Sequence, residues 1–219
     1  MRLQSRILLL SIGFAIAVTL YFAGRHLGFE GQLANDVVKT LPLCLLTTLT
    51  WTLSPRRLAI MPMAFLFSAL GDLAGEHRNF ILQIGMFAVA HLLFTTYFVR
   101  RAKFDTIAYI GSAIIVTTAI GLAAKIVPNI ERTTEQWACL LYILLISIMA
   151  ISTTAQQRYR LWYMLAAITF MFSDSCIAWN RFVERIPYAG VVIMASYFVA
   201  QYIFAVTYLA EHSDQSASK

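Results

Sequence analysis

The stretch RRAKFDTIAYIGSAIIVTTAIGLAAK, residues 100–125, decides the fold class. Arg100, Arg101, Lys103 and Asp105 lead into it, Lys125 closes it, and nothing from 106 to 124 carries a charge. As a helix such a run is about 28 Å long, close to the thickness of a bilayer's hydrocarbon core. Its apolar residues do not alternate with polar ones, which excludes a barrel strand. Seven further apolar runs separated by short charged clusters repeat the pattern along the chain. Only 13% of the 219 residues are charged and the mean hydropathy is +0.70. A soluble domain carries about twice that fraction of charge.

The sequence therefore predicts an all-α, polytopic membrane bundle of eight transmembrane helices. The spans lie near 6–23, 36–53, 57–74, 79–99, 104–126, 136–153, 160–180 and 189–210, and form one domain over 1–219. The connections are too short for a soluble domain. The first span follows Arg2 and Arg6 as a signal peptide would. Its apolar stretch is longer than a signal core and ends at no small-x-small site, so a retained helix is expected. Cys44, Cys139 and Cys176 fall inside three spans and supply neither a disulfide framework nor metal spacing; they read as packing residues.

Eight spans place both termini on one side. That side receives Arg2, Arg6, Arg56, Arg57, Arg100, Arg101, Lys103, Arg158, Arg160 and Lys219. The other receives Arg25, Lys39, Arg78, Lys125, Arg132, Arg181 and Arg185. The first set forms tight clusters at span ends, such as SPRR and VRRAKF, so both termini are expected in the cytoplasm. Acids lie the other way. Asp105, Glu211 and Asp214 are inside, against Glu30, Asp36, Asp72, Glu76, Glu131, Glu135, Asp174 and Glu184 outside. Acids contribute little to topology, so their excess in the outer half asks for another reason.

Two acids stand within apolar runs. FLFSALGDLAGEHRNF (65–80) carries Asp72, and MFSDSCIAWNRF (171–182) carries Asp174. Both spans run outward, and both aspartates fall near the outer end. An aspartate at the centre of a span costs around 2.5–3.5 kcal/mol on insertion scales, and less near an interface. Two at matched depth point to one outward-opening cavity. Other polar residues are candidates to line it: Lys39 beside Asp36 on span 2, and Gln83 and His91 on span 4, with Gly85 leaving room for a neighbour. Ser68, Ser173, Ser175 and Asn180 flank the aspartates, and Tyr197 and Gln201 share a face of span 8.

Plainer readings stand beside these. Asp72 also reads as a solvated helix-end acid, and Asp174 as a structural partner of Arg181 or Lys39. His91, Tyr197 and Gln201 also read as interhelical hydrogen-bonding residues, and Lys39 as a snorkelling cation. Trp51, Trp137 and Trp179 read as interface anchors. Four histidines spread over opposite sides and distant turns give no zinc triad, so no metal or cofactor is expected. FSALGD and TFMFSD hint at a four-span repeat.

The segments DVVKTLPL (36–43), FLFSALGDL (65–73), IGMFAVAHLLF (84–94), FMFSDSCIAWNRF (170–182) and ASYFVAQYIF (195–204) together resemble the YhhN-like family of membrane proteins. The paired GD and SD aspartates are the most specific part, and the family's Lys-Pro pair is here KTLP, Lys39 to Pro42. Characterised members are lysoplasmalogenases. The resemblance implies hydrolysis of the vinyl ether bond of lysoplasmalogen to a fatty aldehyde and a glycerophospho-ethanolamine or -choline. Such a bond is cleaved by protonating its β-carbon; water then adds to the oxocarbenium ion and the hemiacetal collapses. One buried carboxylic acid and one carboxylate suit that chemistry. Asp174, the deeper, is expected as acid and Asp72 as base, with the reverse assignment open. Lys39 is expected on the lipid phosphate, and His91, Tyr197, Gln201 and Asn180 around substrate or water.

The expected partner is a lysophospholipid within the bilayer rather than nucleic acid, and the sequence leaves the oligomeric state open. A bacterial inner membrane is the expected location, with the site opening to the outer leaflet. A reading from another class also stands: a small proton-coupled carrier that loads protons on the same aspartates.

Overall fold

The structure is a computed structural model that describes residues 3–28, 31–53 and 59–217. Arg2, Glu30, Arg56, Arg57 and Lys219, used above to tell the two sides apart, lie outside the described residues, as does the side chain of Asp214. The described residues form eight α-helices: α1 (Leu3–Leu27), α2 (Gln32–Leu53), α3 (Ile60–Glu76), α4 (Phe80–Val99), α5 (Thr106–Ile126), α6 (Thr133–Thr154), α7 (Arg160–Phe182) and α8 (Ala189–Ala217). A short 3-10 turn, Val127–Asn129, follows α5.

Six of them, α1 and α4 to α8, are long and apolar enough to cross a membrane. By the same measure α2 and α3 are not established as spans. The helix α3 has 17 residues, and α2 carries Asp36, Lys39 and five threonines in its 22. Many large apolar side chains face outward on the spans. Ile107, Ile110, Ile114 and Ile120 of α5 and Leu8, Leu9, Ile12 and Ile16 of α1 are each more than half exposed. A surface of this kind is at home in lipid and not in water. The protein is an integral, multi-pass membrane protein.

The chain divides into two compact units, the first built from 1–93 and 205–219 and the second from 94–204. In the first unit α2 packs on α1 and most extensively on α3. Leu10, Phe14, Leu43, Leu46, Met61 and Phe65 are buried there. The threonines of α2 hide their hydroxyls by donating to the carbonyl one turn back: Thr40 to Asp36 at 2.7 Å, Thr47 to Leu43 at 2.8 Å, Thr48 to Cys44 at 2.9 Å and Thr52 to Thr48 at 2.8 Å. Cys44 lies exposed on this helix, while Cys139 and Cys176 are buried; all three are free.

Helices α3 and α4 are joined by a tight turn in which Arg78 takes a left-handed conformation with φ of 56°. The turn is closed by Arg78 N–H to Gly75 C=O and Asn79 N–H to Ala74 C=O, both 3.0 Å. Above it the helices touch through glycine. A Cβ on Gly71 would meet the Phe87 ring at 3.0 Å, and one on Gly75 would meet Gln83 Nε2 at 2.7 Å. Close approach was expected at Gly85, which instead has open space around it. The glycines that matter stand four apart on α3, the small-xxx-small spacing that brings backbones together in lipid.

In the second unit, aromatic rings pack the interior: Phe94 on Phe204 at 4.8 Å, Phe98 on Tyr163 at 4.8 Å and Phe94 on Phe170 at 6.4 Å between centroids. The α4–α5 and α6–α7 connections are stitched together. Asp105 caps α5 by accepting from Ala108 N–H at 2.9 Å and takes both Nη atoms of Arg160, at 3.1 and 2.7 Å. Lys103 N–H donates to Ala155 C=O at 2.8 Å, and the Gln156 amide donates to Phe98 C=O at 3.0 Å. Tyr159, before α7, has a φ of 53°.

Replacing Gly71 by leucine forces Phe87 out of its position and should lower stability by about 1–3 kcal/mol, read as thermal unfolding in detergent. Gly75→Ala should cost less, because the flexible Gln83 side chain gives way. The Arg160 guanidinium and the Ala108 N–H hold the Asp105 carboxyl below its usual range. Its contribution to stability is complete above the unfolded-state value of about 3.9 and is lost as pH falls through the lower folded value. Wild type and Asp105→Asn should therefore melt apart at neutral pH and converge in acid.

Candidate functional site

Each unit carries one of the two aspartates. In the first, Asp72 is buried on α3. Ser68 lies one turn before it and Glu76 one turn after, so the three form a polar strip on one face of the helix. The hydroxyl of Ser68 is fully buried and, among the described residues, makes no hydrogen bond. This sets it apart from the threonines of α2, which all bond backward.

At the end of the strip, Glu76 accepts from Arg25 of α1 and pairs with Lys39 of α2 at 3.5 Å. Arg25 also lies over the Tyr21 ring, 5.7 Å from its centroid. Asp36, three residues before Lys39, is taken by Gln32 at 2.9 Å and His77 at 3.1 Å. His91 is fully buried on α4, and Gln83 of the same helix lies against Gly75.

In the second unit, Asp174 is buried on α7 and its Oδ2 accepts from the Tyr142 hydroxyl of α6. Arg181, one of the partners considered for Asp174, pairs with Glu135 at 3.4 Å; Lys39, the other, is on Glu76. Ser173 fastens α7 to α8 by donating to Ile193 C=O at 2.9 Å, whereas Ser175 donates back to Met171 C=O at 2.6 Å. Asn180 accepts from Ile186 N–H at 2.8 Å and so holds the α7–α8 connection through its side-chain oxygen.

Tyr197 is buried edge-on to Phe170, with centroids 5.4 Å apart. Gln201, one turn on, is completely buried, and among the described residues neither atom of its amide has a hydrogen-bond partner. An unsatisfied buried amide costs roughly 1–3 kcal/mol, which a polar ligand or a water offsets.

Sequence reasoning placed Asp72, Lys39 and Asp174 but missed Tyr142, Glu76 and Arg25 as their neighbours. Two of these leave a trace in the spacing. Glu135, Cys139 and Tyr142 recur at helical intervals along one face of α6, and Glu76 stands four residues after Asp72. Arg25 comes from a separate helix and leaves none.

The chain is a multi-pass helical membrane protein with a buried aspartate on each of α3 and α7. The chain belongs to the YhhN family, whose model matches residues 34–208. It is similar to the lysoplasmalogenase TMEM86B of Rattus norvegicus, 25% identical over 199 residues covering 90% of this chain and 82% of the relative. It is also similar to lysoplasmalogenase TMEM86B of Homo sapiens, 27% identical over 176 residues covering 79% of this chain and 74% of the relative. No solved structure matches it significantly.

The Tyr142–Asp174 contact predicts a measurable coupling. Tyr142→Phe and Asp174→Asn should each lower the thermal midpoint in detergent, and a double-mutant cycle should give an interaction on the order of 1 kcal/mol. Full additivity would mean that the hydrogen bond contributes nothing.

Proposed function

We propose that this protein hydrolyses the vinyl ether bond of a lysoplasmalogen, releasing a fatty aldehyde and a glycerophospho-ethanolamine or -choline. What carries the reading is the burial of an aspartate on each of α3 and α7 in a chain related to lysoplasmalogenases. In this mechanism a protonated carboxyl transfers its proton to the β-carbon of the vinyl ether. The double-bond electrons form that C–H bond, and the ether oxygen shares the positive charge left on the α-carbon. The second carboxylate takes a proton from water as its oxygen bonds to the α-carbon. The resulting hemiacetal breaks its bond to the glycerol oxygen, which leaves protonated, and the aldehyde forms. Asp72 and Asp174 divide the acid and base roles.

The remaining candidates take supporting parts. Lys39 meets the lipid phosphate, and His91, Tyr197 and Gln201 hold substrate or water. The unsatisfied Gln201 amide supports that part most directly. Asn180 acts by holding the end of α7. All eight helices cross the bilayer in this reading, with both termini cytoplasmic and substrate entering from the outer leaflet of a bacterial inner membrane.

The test is aldehyde release from lysoplasmenylethanolamine by purified protein in detergent. Wild type should release aldehyde, and Asp72→Asn and Asp174→Asn should each lose at least about a hundredfold, the scale of general acid–base catalysis, while remaining folded. A well-folded wild type that releases no aldehyde across head groups and pH would overturn the hydrolase reading. Proton flux in reconstituted vesicles would then be the measurement to make.

A further inference from the structure

Glu76 closes α3 with two cations on a single carboxylate oxygen: Oε2 receives both Arg25 and Lys39. The trio therefore carries one positive charge in excess. The side chains of Lys39 and Glu76 are only 11% exposed, so the ammonium is largely withdrawn from water, while Arg25, 41% exposed, reaches in from the rim. Among the described residues Lys39 makes that one ion pair, at 3.5 Å, and no hydrogen bond. An ammonium has three donors to place, and leaving them unmet in a half-dry setting is costly. The Asp36 carboxylate does not meet them, being held by Gln32 and His77. An anion with several oxygens, presented to an Arg and a Lys together, would meet them.

The layer also stands at a defined distance from Asp72. Four residues separate Asp72 from Glu76, so the cations sit about 6 Å further along the helix axis. In a single-chain glycerophospholipid five bonds separate the phosphorus from the ether oxygen, which in an extended zigzag spans roughly 6 Å at about 1.2 Å of advance per bond. A phosphate on Arg25 and Lys39 would bring the ether linkage level with Asp72. Ser68, whose hydroxyl has no hydrogen-bond partner among the described residues, lies one turn deeper on the same face.

We infer that Arg25 and Lys39, with Glu76 between them, form a phosphate subsite that recognises the head group of a zwitterionic lysophospholipid. On binding, the phosphate takes the two cations, and Glu76, released from them, takes the ammonium of the head group. Arg25 is a specificity-determining residue lying outside the segment matched by the family model. The inference rests on the proposed hydrolase for the bond that reacts, but not for the binding itself.

The test is equilibrium binding to the full chain in detergent, using a saturated alkyl-ether lysophosphoethanolamine, which cannot be hydrolysed, and 1-O-alkylglycerol, which lacks the phosphate. Wild type should prefer the first by about tenfold or more. Arg25→Ala and Lys39→Met should abolish the preference, and Arg25→Lys should restore part of it. Glu76→Gln should weaken the zwitterionic lipid and strengthen one bearing phosphate without an amine, a reversal that mere loss of structure does not produce. Competition by inorganic phosphate would assign recognition to phosphate from any source. Competition by glycerophosphoethanolamine alone would assign it to the lipid head group.

Equal affinity for the two probes in wild type, or an undiminished preference in folded Arg25→Ala and Lys39→Met, overturns the subsite. An aldehyde-negative wild type that keeps the preference removes the hydrolase reading and leaves the subsite standing.

Discussion

A polar group inside a bilayer has no water to turn to, and the rest of this structure depends on how that demand is met. Backbone groups meet it by forming helices. Most helical hydroxyls meet it by donating to a carbonyl one turn back, as the threonines of α2 and Ser112, Ser147 and Ser196 do. The loop-end polar groups meet it by stitching connections, as Asp105 and Arg160 do for α5 and α7. Against this background of satisfied groups, Ser68 and Gln201 stand out as polar groups that nothing in the described chain satisfies. Ser68 adjoins Asp72 on α3, and Gln201 follows Tyr197 on α8.

The carboxylates follow the same logic at higher stakes. Bringing one into the membrane is tolerable only where donors or cations meet it. Asp174 has the Tyr142 hydroxyl, and Glu76 has Arg25 and Lys39. These contacts come from different helices in each case, so the helix packing of each unit is also what arranges its charges. The side chains that make burial tolerable also fix where the carboxylate points.

How much of this was legible in the sequence depended on the range of the interaction. The helices were legible because a membrane span needs a long uncharged run: each of the eight predicted spans begins within four residues of an observed helix, as 104–126 does for Thr106–Ile126, and six of those helices are long and apolar enough to cross a membrane. The first starts earlier than expected, at Leu3, since Gln4, Ser5 and Arg6 continue the helix ahead of the apolar run. Asp72 and Asp174 were legible because a charge inside such a run is conspicuous. Partners were legible only along one helix, where spacing of four residues puts side chains together; Glu76 had such a signal. Arg25 meeting Glu76, or Tyr142 meeting Asp174, depends on how separate helices turn toward each other, and no local pattern carries that. Gly85 misled for the same reason: a glycine advertises room, but which glycine faces the neighbour is a matter of helix rotation.

The glycine seam between α3 and α4 has an evolutionary consequence. Position 71 is small because position 87 is a phenylalanine, and position 75 is small because position 83 reaches across to it. Neither member of a pair can change size freely without the other. In chains descended from a common ancestor with this one, 71 should therefore vary together with 87, and 75 with 83, large residues at one being matched by small ones at the other. Such paired variation would leave the register of α3 unchanged, and with it the direction in which Asp72 and Glu76 are presented.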